Sequence, residues 1–167
     1  TKGIQIMNDK QIYQTENFTV ERPSKIPHVS REDGGHIIIR PKTNVLDRTK
    51  LTPELAIELM RLTMIAGEAM TTALNHRGID VGRINYQDNG NWSVFSPGGP
   101  LLHIHLYGRA KSAKIQKWGD ACHFPHTETG FYDSFELLNS IDLEEIKKEI
   151  EALFKEDRYQ DKNWHLL

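Results

Sequence analysis

Leu101-Leu102-His103-Ile104-His105-Leu106-Tyr107, followed by Gly108-Arg109, is the stretch on which the fold turns. Leu101 to Tyr107 reads as a strand closed by Gly108. A strand has a side-chain period of two. His103 and His105 therefore share one face, with Ile104 and Leu106 on the other. An isolated pair of this kind is most often two polar residues on a solvated sheet face. Two adjacent imidazoles can also bind a metal, stabilise a phosphate, or act as nucleophile and acid–base partner.

Working outward, Gly34-Gly35 precedes His36-Ile37-Ile38-Ile39-Arg40, an apolar run stopped by Pro41. Its length and β-branched content favour a buried strand. Asn17 to Glu21 alternates enough for a short strand, while residues 1–16 are polar and weakly patterned. Thr52 is placed to N-cap a helix, Pro53 suits its first position and Glu54 suits the positive end of its dipole. Leu55, Leu59, Leu62, Ala66, Ala69 and Ala73 recur at steps of three and four up to Gly78, which predicts a helix over about 53–76. Asp80 to Asp88 reads as a strand, Asn89-Gly90-Asn91 as a turn, Trp92 to Phe95 as a second short strand and Ser96 to Pro100 as a loop. The basic stretch Arg109 to Lys117 leads into an aromatic, histidine-rich loop, Trp118 to Phe135. Asp142 with Glu145 makes a capping box, and Leu143, Ile146, Ile150 and Leu153 form a stripe, which predicts a second helix over about 142–156. This order predicts an α+β fold: an antiparallel sheet, one long helix and a C-terminal helical extension.

The 167 residues suit one domain spanning 1–167. Lys plus Arg is 21, Asp plus Glu is 23 and the net charge is −2, which argues against a protein held to nucleic acid by electrostatics. A small nucleotide needs only a local site. The single cysteine, Cys122, excludes an internal disulfide and a four-cysteine zinc site, and the composition suits a reducing cytoplasm. No apolar run approaches 18 residues and no secretory signal opens the chain, so no membrane association is expected.

The eight histidines are unevenly spread. His36 opens its strand behind a Gly-Gly turn. Gln87 stands just before the Gly/Pro loop that leads to His103, where an amide could bond an ester or bridging oxygen. Gly98-Gly99 would let backbone approach a phosphate, or would simply form a hairpin loop.

Taken in order, these pieces resemble the histidine triad (HIT) family of nucleotide hydrolases and transferases. Gly35-His36-Ile37-Ile38-Ile39-Arg40-Pro41 is similar to the family's Gly-His-φ-φ-φ-φ-Pro strand, φ being apolar, with Arg40 the polar exception. Leu51-Thr52-Pro53-Glu54 resembles its helix start, and Asn85 to Gly90 the strand and turn before its signature. His103 to Arg109 is similar to the second half of His-φ-His-φ-His-φ-φ-Pro-Arg. The resemblance covers about residues 17–110. Anchored on Arg109, the first signature position is Leu101 rather than histidine, the second His103 and the third His105. A frame moved by two would put Tyr107 third.

The resemblance implies a mechanism without metal or other cofactor. His103 would attack an α-phosphorus to give a nucleotidyl-histidine, and water would release the nucleotide. His105 and His36 would bond the non-bridging oxygens, and Gln87 would contact the α-phosphate. His28 falls where the family binds ribose, or is an ordinary loop histidine. Gly98, Gly99 and Arg109 complete the expected substrate contacts. The substrate would be a purine nucleotide or related molecule: a nucleoside phosphate, a phosphoramidate or a dinucleoside polyphosphate. The alternatives are a non-catalytic nucleotide-binding module, suggested by Leu101, and a small metal-binding protein using Cys122, His123, His126 and the signature histidines. Trp118, Cys122, His123, Phe124 and His126 would close over the ligand or pack the last helix. The resemblance also implies a homodimer; Ile57, Met60, Met64, Ile65 and Met70 of the long helix would form a second, partner-facing apolar surface or lie under the C-terminal segment.

Overall fold

The computed structural model describes residues 8–166. Five strands, β1 (Gln11–Gln14), β2 (Phe18–Glu21), β3 (His36–Pro41), β4 (Val81–Gln87) and β5 (Ile104–Ala110), form one antiparallel sheet in the order β1-β2-β3-β5-β4. Helix α1 (Pro53–His76) lies between β3 and β4, and α2 (Ser140–Phe154) follows the sheet. This is the α+β architecture expected from the sequence. No helix among the described residues is long and apolar enough to cross a membrane.

The strand register sorts side chains onto two faces. Ile37, Ile39, Ile104 and Leu106, with Phe18 and Val20, enter the core beneath α1. The other face carries His36, His105 and Tyr107, with Asn85 and Gln87 alongside, because Gln87 pairs with His105 and Asn85 with Tyr107. One period-two pattern thus divides β3 and β5 into a structural and a chemical face.

Helix α1 keeps its expected bounds. Thr52 accepts a hydrogen bond from the Leu55 N–H, Pro53 follows it, and Gly78 takes φ 84° beyond the end. Leu59, Leu62, Ala66, Ala69 and Ala73 are buried, as the periodicity requires. Ile65 and Met70 are also core, fully covered, and do not belong to a second surface. Met60 and Met64 are exposed.

Four elements differ from the sequence reading. Gln11–Gln14 is a strand, paired to β2 at the sheet edge. Trp92 to Phe95 is not a strand: Ser93 bonds back to Gly90, Ser96 to Ser93 and Gly99 to Ser96, so the backbone groups are met within consecutive turns. Strand β5 begins at Ile104, because the Leu102 N–H is taken by the Val45 carbonyl before the ladder starts. It also runs through Gly108, where the Gly34 backbone crosses so closely that a Cβ on either glycine would meet the other's carbonyl. Helix α2 begins earlier than expected, because its capping box joins Asn139 to Asp142 and not Asp142 to Glu145.

Candidate active site

His103 sits just before β5, half-buried at the mouth of the chemical face. Its Nδ1 lies 2.7 Å from the Leu101 carbonyl oxygen. A carbonyl only accepts, so Nδ1 carries a proton, and in the neutral ring Nε2 keeps its lone pair. His105 is 4% exposed, and its ring meets His103 edge-on at 4.6 Å between centroids. The His36 and His105 rings are 5.0 Å apart, which puts His36 within about 10 Å of His103.

The proton positions of the buried imidazoles follow from one fixed donor. The backbone N–H of His28 donates to His36 Nδ1 at 3.1 Å. Neutral His36 therefore carries its proton on Nε2, which donates to His105 Nδ1 at 2.8 Å. His105 must then carry its own proton on Nε2, directed at the cavity it lines. The result is one imidazole with a free lone pair, His103, beside one that presents an N–H, His105.

His28 extends the same network. Its Nδ1 lies 3.0 Å from the Tyr107 hydroxyl, which Asn89 Nδ2 approaches at 3.4 Å. With the hydroxyl donating to Nδ1, His28 also presents an Nε2–H.

Burial keeps these rings neutral. The pKa of His28 falls to about 4, first through burial and then through nearby His103. That of His105 falls to about 2, through burial, then His103 and His28. That of His36 lies well below the usual value, through burial and then His105. Burial likewise pushes the Tyr107 hydroxyl up, so it stays protonated.

These depressions have a consequence for stability. An unfolded histidine takes up a proton near pH 6.5, whereas the folded rings refuse it until lower pH. Stability is therefore full above about pH 6.5 and falls as the pH drops toward about 4, where His28 charges. Each ring contributes a slope of up to about 1.4 kcal/mol per pH unit. Denaturant midpoints measured from pH 7 to 4.5 should fall steadily, with a shallower fall in His36→Gln. A flat profile would contradict the buried, neutral cluster.

A cavity of about 320 Å³ opens over His103 and His105. His28, Phe124 and the segment Asn89 to Ser93, with Trp92 in it, complete its lining. Trp92 and Phe124 each pack 5.5 Å from the His28 ring. The size suits a small ligand with one flat ring.

The expected site residues separate into two groups. His28, His36, His103 and His105 are brought together, with His36 covered beneath the other rings. Gln87 shares their face but does not line the cavity. Gly98 and Gly99 stand in an open turn away from it, with φ of 85° and 63°. Arg109 is not a substrate contact in this arrangement. It is 6% exposed, and its guanidinium holds Asn85 Oδ1 and the carbonyls of Lys117 and Asp120. Trp118 and His123 are exposed, whereas Phe124 lies against Tyr107 at 4.9 Å. Asn89 and Trp92 were legible only as turn and strand residues, and their place in the cavity wall had no sequence signal.

His28, His36 and His105 also lie close enough to offer a metal three nitrogens, all within 4.8 Å of one another. The His36–His105 hydrogen bond occupies two of those rings, so a shared ion would have to break it. Cys122, His123 and His126 are not part of this group.

The chain matches no protein-family profile and no curated protein sequence. Among solved structures it is similar to a hypothetical histidine triad nucleotide-binding protein from Sulfolobus tokodaii, with TM-score 0.56 and 15% identity over 89% of this chain and 88% of that one. A zinc-bound histidine triad family protein from Mycobacterium smegmatis gives TM-score 0.52 and 19% identity, over 86% and 84%. A Hit-like protein involved in cell-cycle regulation from Bartonella henselae gives 0.51 and 14%, over 87% of each chain. What the chain shares with these proteins is the fold: a five-stranded antiparallel sheet with two helices, the HIT-like α+β architecture.

Proposed function

We propose that this chain is a nucleotide-binding enzyme of histidine triad type, transferring a nucleotidyl group through His103. The observation that carries the reading is the hydrogen-bond geometry of two touching rings, from which opposed proton placements follow. His103 Nε2 offers a lone pair, and His105 Nε2–H offers a donor 4.6 Å away between ring centroids.

In the first step the His103 Nε2 lone pair forms a bond to the α-phosphorus, and the bond from phosphorus to the leaving group breaks with its electron pair. His103 becomes positively charged, and the Leu101 carbonyl on Nδ1–H is placed to stabilise it. His105 and His28 donate to the non-bridging oxygens as charge builds there. His36 acts on His105 from behind and does not line the cavity. In the second step water attacks phosphorus, its proton is lost to solvent, and the His103–phosphorus bond breaks. Substrates of this chemistry are nucleoside phosphates, phosphoramidates and dinucleoside polyphosphates. The nucleoside ring would lie against Trp92 and Phe124.

The alternative of a non-catalytic module rested on Leu101 in place of a histidine. The site uses residue 101 through its backbone carbonyl, while the Leu101 side chain is 45% exposed. Loss of that imidazole leaves the proton placement on His103 in place. Rapid quench with an α-labelled adenosine phosphoramidate tests the reading. It should trap protein-bound label that acid releases and base does not. No trapped label, with nucleotide still bound, would favour the binding module.

We also propose a homodimer. Among the described residues no further strand pairs with the outer edge of β4, and beside it a groove of about 540 Å³ runs between α1 and β4. The groove exposes Met60, Met64 and Tyr86. A second copy laid edge to edge would cover both features. Light scattering should give twice the chain mass of 19.2 kDa, and the single-chain mass at micromolar concentration would end the proposal.

A further inference from the structure

The segment after β5 lies beyond the stretch whose sequence motifs resemble the histidine triad family. It returns across the chemical face and is anchored there. Buried Asp33 accepts three consecutive backbone N–H groups, from Lys114, Ile115 and Gln116, at 2.8, 2.9 and 2.8 Å. This fixes Gln116, whose residue is 2% exposed, beneath the loop that carries His28. Gln116 Nε2 donates to the His28 carbonyl at 3.0 Å and to the His123 carbonyl at 2.7 Å. Gln116 Oε1 accepts the His123 N–H at 2.9 Å.

The backbone of residue 28 is thus held on both sides. Its C=O is bound by Gln116, and its N–H is directed at His36 Nδ1. That N–H is the fixed donor from which the proton positions of His36 and His105 follow. Without it, His36 is free to carry its proton on Nδ1. Its Nε2 would then accept from His105 Nδ1–H, and His105 would turn a lone pair toward the cavity. A group that donates to phosphoryl oxygens would become one that repels them.

We propose that Gln116 is the positioning residue that sets the polarity of the His36–His105 pair, acting through the backbone of His28. It touches neither the cavity nor the reacting atoms. The kinetic consequence rests on the nucleotidyl-transfer reading; the proton positions do not.

The test begins with ¹⁵N-histidine NMR of the intact protein at neutral pH. His36 and His105 should both be protonated at Nε2 and bare at Nδ1, and a proton on His36 Nδ1 would overturn the proposal. Gln116→Met, of similar volume but unable to donate, should show the reversed proton arrangement as a second population at both rings. With the donor form diluted, kcat should fall on the order of tenfold while KM stays within about twofold. Gln116→Glu adds a rescue: its buried carboxyl donates to the His28 carbonyl when protonated and cannot when ionised. The normal ring spectrum should return as pH falls through that titration, where the wild type shows no such change. A folded Gln116→Met with a lower melting temperature but unchanged ring protons would assign Gln116 a purely structural role and overturn the proposal. If both variants fail to fold, the wild type decides. Hydrogen-bond couplings must be present from Gln116 Nε2–H to the His28 carbonyl and from the His28 N–H to His36 Nδ1. The absence of either is a refutation. Loss of label trapping with the proton pattern intact would instead count against nucleotidyl transfer alone.

Discussion

His103→Ala is expected to yield a folded protein that binds nucleotide and forms no covalent adduct. The side chain is half-buried at the cavity mouth, and among the described residues its one hydrogen bond is to the carbonyl of Leu101, two residues back, so its loss opens no core. The chemical loss should be complete, because no other imidazole in the cluster is prepared to attack. His105 Nδ1 is occupied by His36 and its Nε2 carries a proton. His28 Nδ1 faces Tyr107. The contrast with His105→Ala makes the assignment sharp. Removing one donor to a developing oxyanion typically costs about 10²–10³ in rate, so His105→Ala should be slow yet still trap label. Rapid quench with α-labelled substrate reads both variants. An acid-labile adduct formed by His103→Ala would move the nucleophile to His105 and the third position to Tyr107.

The parts of this site that could be read from the sequence are those carried by local periodicity. His103 and His105 share a side because extended chain has a period of two, the β3–β5 register brings His36 to the same face, and their order along the chain pointed to one chemistry. Helix α1 was legible to the residue, since its cap, first-turn proline, stripe and terminal glycine all agree. Trp92 to Phe95 shows where local composition stops deciding structure. Its composition suits a strand, but a strand needs a partner, and whether one is within reach is decided elsewhere in the chain. The same holds for direction within the site. Which nitrogen of His105 bears a proton depends on the His28 backbone and on Gln116, and Gln116 lies 88 positions from His28. No local pattern encodes such a link. Arg109 was misread for a related reason. A signature arginine beside signature histidines suggests substrate, yet here the guanidinium fastens the loop that brings Gln116 and Phe124 into place.

The largest stability effect is expected at Asp142. Its side chain is completely buried, and it joins three parts of the chain. Arg31, in the loop before β3, donates to it at 2.6 and 2.9 Å; Arg77, at the end of α1, donates at 3.0 Å; and the Asn139 N–H, at the start of α2, donates at 2.9 Å. Asp142→Asn keeps the volume and removes the charge, leaving both guanidinium groups without the carboxylate they share. Removing one member of a buried pair costs about 3–5 kcal/mol. Arg31 and Arg77 retain 20% and 29% exposure, so water can take over part of their solvation and the low end, about 3 kcal/mol, applies. In a domain of this size that lowers the melting temperature by about 6–12 °C. The pH dependence separates this effect from that of the histidines. Burial alone would push the Asp142 carboxyl up, but the Arg31 hydrogen bond, the Asn139 N–H and Arg77 outweigh it and hold the pKa below the usual value. A depressed carboxylate contributes stability that is fully present above the unfolded pKa of about 3.9 and is lost as pH falls through the lower folded value. The histidine loss that begins below about pH 6.5 acts on wild type and variant alike and cancels in their difference. The gap between wild type and Asp142→Asn should therefore stay constant from pH 7 to about 5 and close only below about 4. Denaturant midpoints of the two proteins across that range measure it. Equal midpoints at pH 7 would show that the three-way junction contributes nothing to the fold.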